Sequence, residues 1–291
     1  MEVQTRDLTS QASIMPVRRD LRFDLPAERI TDWNHAGGSH LSHFMNTLSL
    51  YFPVGERFFM DSVRHYRERI ADPELKKAVT GFIGQEAMHG REHQEYNEAV
   101  FAAVPQTIGM ERFVARLLGW LQKWTPPSFQ LSGTIALEHF TAIMADALLK
   151  DPRILEGSEP KFVALWRWHA LEETEHKAVA FDVWETVMGR GLRAYVERTL
   201  GLVVATVILW TIFTGCYLRV LGAQGLLTDW QGWRKLGRML FGEIGFMRKL
   251  ILPWADYFRP GFHPWDHDNR HFLGEMDALT AELQGLNQTA A

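Results

Sequence analysis

From His40 onward, apolar and polar residues alternate at helical spacing almost without interruption. Apolar positions recur every three to four residues, the period of a helix that buries one face. The pattern predicts helices over roughly 41–71, 73–103, 108–124, 128–150, 160–189, 192–221, 226–251 and 268–286. The breaks fall at Asp72-Pro73, Pro105, Pro126-Pro127, Pro152 to Pro160 and Gly189 to Gly191, where proline and glycine end helices. Ahead of the helices, residues 1 to about 14 read as a mobile tail and "MPVRRDLRFDLP" as a short extended piece. The chain thus divides into an N-terminal segment over 1–40, a helical bundle over 41–190 and further helices over 191–291.

Within the helical pattern there is an internal echo. "GERFFMD" holds Glu56, and 30 residues later "GQEAMHGREH" holds Glu86 and His89 as Glu-x-x-His. "ALEHFTA" holds Glu138, and 35 residues later "WHALEETEHKAVAFD" holds Glu173 and His176, again as Glu-x-x-His. Residues i and i+3 share a helix face, so each Glu points the same way as its His. The neighbours of Glu56 and Glu138 are mostly apolar or small, which argues against solvated faces. Buried carboxylates are costly unless paired or bound to metal. Four carboxylates and two imidazoles converging from four helices suit two cations of the iron or manganese kind. A single Glu from each of two helices plus Glu-x-x-His from two others is the ferritin-like di-iron pattern. The expected fold is therefore all-α: a ferritin-like four-helix bundle around a dinuclear site, with additional C-terminal helices.

Other polar residues lie near the same stripes. His169 precedes Glu173 by four and His176 by seven, so it shares their face as a further ligand or as a partner of one. His93 mirrors that placement after Glu86 and His89 and reads as a hydrogen-bond partner of a ligand. His139 faces about 100° away from Glu138 and reads as a packing residue. Glu172, Glu92 and Glu95 read as surface residues or ligand partners. Asp61, Asp146 and Asp182 are candidates to orient ligand imidazoles. "YFRPGFHPWDHDNRHF" adds His263, His267 and His271, which read as a loop capping the bundle rather than a second site.

Composition narrows the function classes. The 291 residues are 46% hydrophobic with a net charge of −4, and no basic stripe supports nucleic-acid binding. A single cysteine, Cys216, fits a reducing compartment. No apolar leader precedes the helices, so the expected location is the cytoplasm, with the inner face of the membrane as the other candidate.

"WHALEETEHKAVAFD", together with "GQEAMHGREH" and "RPGFHPW", resembles the bacterial family described as predicted metal-dependent hydrolases, over nearly the whole chain from about Pro16. The spacing His-x3-Glu-x2-His at His169, Glu173 and His176 is also similar to that of di-iron arylamine N-oxygenases. They combine it with an earlier Glu-x-x-His and two single glutamates, matched here by Glu86, His89, Glu56 and Glu138. That resemblance implies a seventh ligand at His169. Outside the ligand helices it ends, so the N-oxygenase substrate class does not carry over.

Three functions are weighed. The first is an O2-activating di-iron oxygenase or oxidase, drawing on O2 and an electron donor to hydroxylate, N-oxygenate or desaturate a small, hydrophobic molecule. A manganese–iron or other divalent pair is the variant of its cofactor. The second is a metal-dependent hydrolase using a metal-bound hydroxide. The third is non-enzymatic metal binding or storage. Residues 199–218, "TLGLVVATVILWTIFTGCYL", carry no charge and reach the length of a membrane span. The bundle, a second copy of the chain or lipid must cover them. "WQGWRKLGRMLFGEIGFMRKLILPW" mixes aromatic and basic residues as an interfacial helix does.

Overall fold

The structure, a computed structural model, describes residues 14–289. The tail expected over residues 1 to 14 thus lies, but for its last residue, outside the described residues. The fold is all-α, with no strand among the described residues. The helices are α1 (Gly38–Ser49), α2 (Phe52–Arg64), α3 (Pro73–Ala103), α4 (Thr107–Trp124), α5 (Pro127–Lys150), α6 (Pro160–His176), α7 (Val179–Met188), α8 (Leu192–Ala223), α9 (Trp230–Phe241), α10 (Phe246–Asp256) and α11 (Met276–Thr289).

Several boundaries follow directly from local chemistry. Asp72 caps α3 by accepting from the Glu74 N–H at 2.9 Å, and Pro73 starts the helix where no donor is needed. Pro127 and Pro160 likewise stand at the first position of α5 and α6, without a side-chain cap. Three expected helices are each two. The stretch 41–71 breaks at Leu50-Tyr51, just ahead of Pro53 in the first turn of α2. The stretch 160–189 is interrupted at Lys177-Ala178, and 226–251 breaks between Gly242 and Gly245, where Gly245 takes a left-handed φ of 62°. The last expected helix begins as a 3-10 turn over Arg270–Glu275.

Four helices, α2, α3, α5 and α6, pack around a common centre: α2 against α3 and α5, and α6 against α5 and α3. The later helices cover this group from outside. α8 lies along α5 and α1, α10 lies on α5, and α11 lies on α6. α4 is held loosely, with only Thr107, Met110 and Val114 buried. The bundle covers α8 in part only: its apolar window is 28% buried, and Val196, Leu200, Val203 and Val207 form an exposed stripe.

The N-terminal segment runs without regular structure over residues 14–26. It lies so close to α3 that a Cβ at Gly81 would sit 2.2 Å from the Pro16 carbonyl oxygen. Phe23 is buried farther along, its ring 5.2 Å from that of Trp168 on α6. The extended piece expected from "MPVRRDLRFDLP" is thus part of the packed structure.

Candidate metal centre

The centre of the four helices is polar. Glu56 comes from α2, Glu86 and His89 from α3, Glu138 from α5, and His169, Glu173 and His176 from α6, all of them buried. Their ligating atoms form three overlapping groups: Glu56, His89 and His169; Glu86, His89 and Glu173; and Glu86, Glu138 and His176. All seven residues expected from the sequence therefore meet in one place. His176 Nε2 lies 3.4 Å from Glu86, 3.6 Å from Glu138 and 3.6 Å from Glu173. His169 Nε2 lies 3.1 Å from Glu173, and His89 Nδ1 lies 3.9 Å from both Glu86 and Glu173.

Each imidazole keeps one nitrogen for this cluster and spends the other on a neighbour. Asn97 Nδ2 donates to the Ser49 carbonyl at 3.0 Å, which fixes Asn97 Oδ1 as the acceptor of the Ser49 hydroxyl at 2.7 Å. Ser49 Oγ then accepts from His93 Nδ1 at 2.8 Å, which leaves His93 Nε2 to accept from His169 Nδ1 at 2.9 Å. The lone pair of His169 is thereby placed on Nε2, toward Glu173. Gln85 does the same for His176: its amide donates to the Val17 carbonyl and to Glu175, and its oxygen accepts from His176 Nδ1 at 3.0 Å. His89 gives its Nε2 proton to Glu172 at 3.2 Å, so its lone pair sits on Nδ1.

Ring packing holds the imidazoles in these positions. Phe52 stacks on His169 at 4.7 Å, while Trp168 meets His89 and Phe82 meets His176 edge-on. A Cβ at Gly90 would lie 3.2 Å from Glu56 Oε2, so that glycine gives the Glu56 carboxylate its place against α3.

Ten atoms of the cluster make no hydrogen bond. They are both carboxylate oxygens of Glu56, Glu86 and Glu138, one of Glu173, and the inward nitrogens of His89, His169 and His176. Buried polar atoms in native proteins are nearly always partnered, so such a concentration demands an explanation. Divalent cations supply it, because each is a partner that hydrogen bonding within the chain does not provide. The donor set of carboxylate and imidazole suits iron, manganese or zinc better than calcium or magnesium.

The titrations point the same way. Burial, with Glu173 and Glu138 close by, pushes Glu56 well above the usual carboxylate range. Burial and Glu138 do the same to Glu86, and burial and Glu173 raise Glu138 to about 8. Burial works against charge on His176, but the carboxylates of Glu173 and Glu138 outweigh it and raise the ring to about 9. Burial also opposes charge on Glu173, yet His176 and His169 hold it well below its ordinary value. Burial and mutual repulsion thus favour the protonated form of Glu56, Glu86 and Glu138, while Glu173 is held charged beside His176. Positive charge at the centre would release those protons.

Around the cluster the expectations divide. His93 and Glu172 do contact candidate ligands. Asp146 and Asp182 do not: Asp146 binds Lys150 and Asn269, and Asp182 binds His263 at 3.0 Å. Asp61 pairs with Arg64 on the surface, and Glu95 with Arg22. Glu92 is buried and accepts from the Phe23 N–H and from Arg91. His139 bonds the Pro253 carbonyl at 3.1 Å. His263 and His267 bind Asp182 and Asp256, and His271 packs on Phe272, so the late histidines join no metal group among the described residues. Gln85 and Arg19 lie outside the candidates that the sequence offers. Arg19 bonds Glu172 at 3.1 Å and Glu175 at 2.8 Å, which accounts for the two remaining glutamates of "EETEH".

The family model described as "Predicted metal-dependent hydrolase" matches residues 17–268. The chain belongs to that family. Its description accords with the hydrolytic alternative; nothing in the comparison speaks for oxidation. No curated protein and no solved structure matches the chain.

Proposed function

We propose that this protein is a metal-dependent enzyme holding two divalent cations among Glu56, Glu86, His89, Glu138, His169, Glu173 and His176. The ten unpartnered atoms converging in a buried space carry the reading. Glu86, Glu138 and His176 would hold one cation, and Glu56, His89 and His169 the other. Glu173 lies within 4 Å of all three imidazoles and would serve both.

When bound, such a pair supplies either oxygen activation through reversible oxidation or Lewis-acid activation of water. The chain's own residues favour the first. Four carboxylates among the seven side chains offer the negative charge that suits two redox states of iron, and among the described residues the only charged group in the wall of the adjoining cavity is Glu56 itself. O2 and an apolar substrate can enter such a space without losing hydrogen bonds to water. An electron donor is then a required partner. Hydrolysis is the second reading, supported by the family description.

One experiment divides the two. The iron-loaded protein is reduced without oxygen and then mixed with O2 in a stopped-flow spectrometer. Rapid reoxidation supports the oxidative reading. Metals that stay redox-silent while the protein cleaves p-nitrophenyl esters without oxygen would establish the hydrolase instead.

A further inference from the structure

We infer that the apolar cavity beside Glu56 is the substrate site, and that the substrate presents to the cluster an uncharged hydrocarbon group, a short alkyl chain or a single aromatic ring. This deepens the reading of the cluster as a metal-holding active site and rests on it.

The cavity has a volume of about 160 Å³ and is walled by α2, α4, α5 and α8. An apolar cavity of about 150 Å³ stays dry and takes up benzene. Phe58, Phe59 and Phe140 supply buried wall, and the half-buried Leu117, Val204 and Ile208 belong to the outer helices. Among the described residues, Glu56 is the only charged one in the wall. A charged substrate group would find no counter-charge there except the cluster itself, and its desolvation would go uncompensated. A second cavity of about 40 Å³ shares Leu48, Phe52, Thr141 and Met144 with the first and is lined by His169 and Glu173. Apolar space therefore adjoins the cluster at three of its seven side chains.

Two wall glycines indicate that the space is built in. A Cβ at Gly133, two turns into α5, would meet no atom within 4 Å, and one at Gly55 would touch only the tip of Phe59 at 3.8 Å. Glycine inside a helix is unfavourable relative to alanine, and here close packing does not require it. Gly201 differs, because a Cβ there would come within 2.7 Å of Ser132 Oγ and push α8 off α5. Gly133 and Gly55 thus keep volume open. α4 forms one wall, and its buried residues all lie in its first half. Its second half rests over the cavity on Leu117, Leu118 and Leu121, the part of the wall most easily displaced to admit a ligand.

The test is calorimetric binding of toluene and n-hexane to the full-length protein, metal-loaded and metal-free, with benzoate as the charged control. Both hydrocarbons should bind in either state and raise the melting temperature, and benzoate should not. Gly133→Phe should weaken toluene by about tenfold or more, a change of about 1.4 kcal/mol or more, with metal content unchanged. Ile208→Trp should do the same from α8, so the test survives if one variant fails to fold. Gly133→Ala should still bind. No toluene binding by the wild type, or equal binding by both bulky variants, overturns the inference. A protein that binds toluene but no metal would overturn only the reading of the cluster.

Discussion

His93 Nε2 lies 2.9 Å from His169 Nδ1, and this contact between two buried rings selects the nitrogen that His169 turns toward Glu173. His93 touches no carboxylate of the cluster; it acts through its neighbour. His93→Ala should therefore keep two cations at saturation while lowering affinity by about 10- to 100-fold. His89→Ala should lose more, since it removes a ligand. Metal titration against a chelator reads both, and equal losses would place His93 among the ligands.

The wild-type protein should bind close to two equivalents of iron when loaded without oxygen, by elemental analysis. Glu86→Ala and Glu138→Ala should lose most of that metal and all activity while keeping the helical circular dichroism. Each removes a buried carboxyl with no hydrogen bond, so the metal-free variants should melt at or above the metal-free wild type. A single zinc per chain that iron cannot displace would refute the two-cation site.

Metal-free protein should lose stability as pH rises from 7 to 8. Glu138, raised to about 8, and His176, raised to about 9, hold more protons folded than unfolded across this window. Stability falls with pH wherever the folded state binds the extra protons. His89 and His93 are pushed well below 6.5 by burial and by His169, and act oppositely, but only below about pH 6.5. Lys177, lowered to about 8 by burial, opposes the trend increasingly toward pH 8, but it is one group against two. Cations replace the protons, so the stabilisation by metal should grow over the same window. Thermal melts of both forms at pH 7.0, 7.5 and 8.0 check this, and parallel curves would contradict it.

Arg19→Ala should destabilise the protein by about 2–4 kcal/mol, because it strips the buried Glu172 and the nearly buried Glu175 of their cation. Urea unfolding measures the loss. A change below about 0.5 kcal/mol, as for surface pairs, would mean that solvent already screens the contact.

The exposed stripe Val196, Leu200, Val203 and Val207 should adhere to anionic membranes. Trp120 and Trp124 on α4 and Ile251 and Leu252 on α10 are exposed as well. α4 and residues 192–256 together carry eleven Lys and Arg against five Asp and Glu, a surplus of six on a chain whose net charge is −4. Apolar and basic residues together suit an anionic lipid surface. The protein should float with vesicles containing phosphatidylserine, less so at high salt, and Val203→Asp with Val207→Asp should abolish it. A dimer in light scattering that ignores vesicles would make the stripe a subunit contact instead.

The cluster is legible in the sequence because its geometry is local: each Glu-x-x-His lies within one helical turn, and helices report their own periodicity. His169 is readable for the same reason. Gln85 and Arg19 are not, because their roles depend on partners 91 and 153 residues away. The sole hint at Gln85 is its place beside Glu86. Asp146 and Asp182 looked equivalent to Glu172 by composition, yet only a residue on the inner face of α6 reaches His89. The helix breaks at Leu50-Tyr51 and Lys177-Ala178 carry no glycine, so the periodicity alone runs through them.

The Arg19 clamp also bears on how the chain is made. Synthesis runs from the N-terminus, so Arg19 emerges 153 residues before Glu172 and 156 before Glu175. Until α6 has been translated and docked, the segment carrying Arg19 has no partner there, and the two glutamates cannot be buried cheaply. Contacts this distant in sequence form slowly. The segment that carries Arg19 is made long before α6, yet its ion pairs close only once α6 has docked.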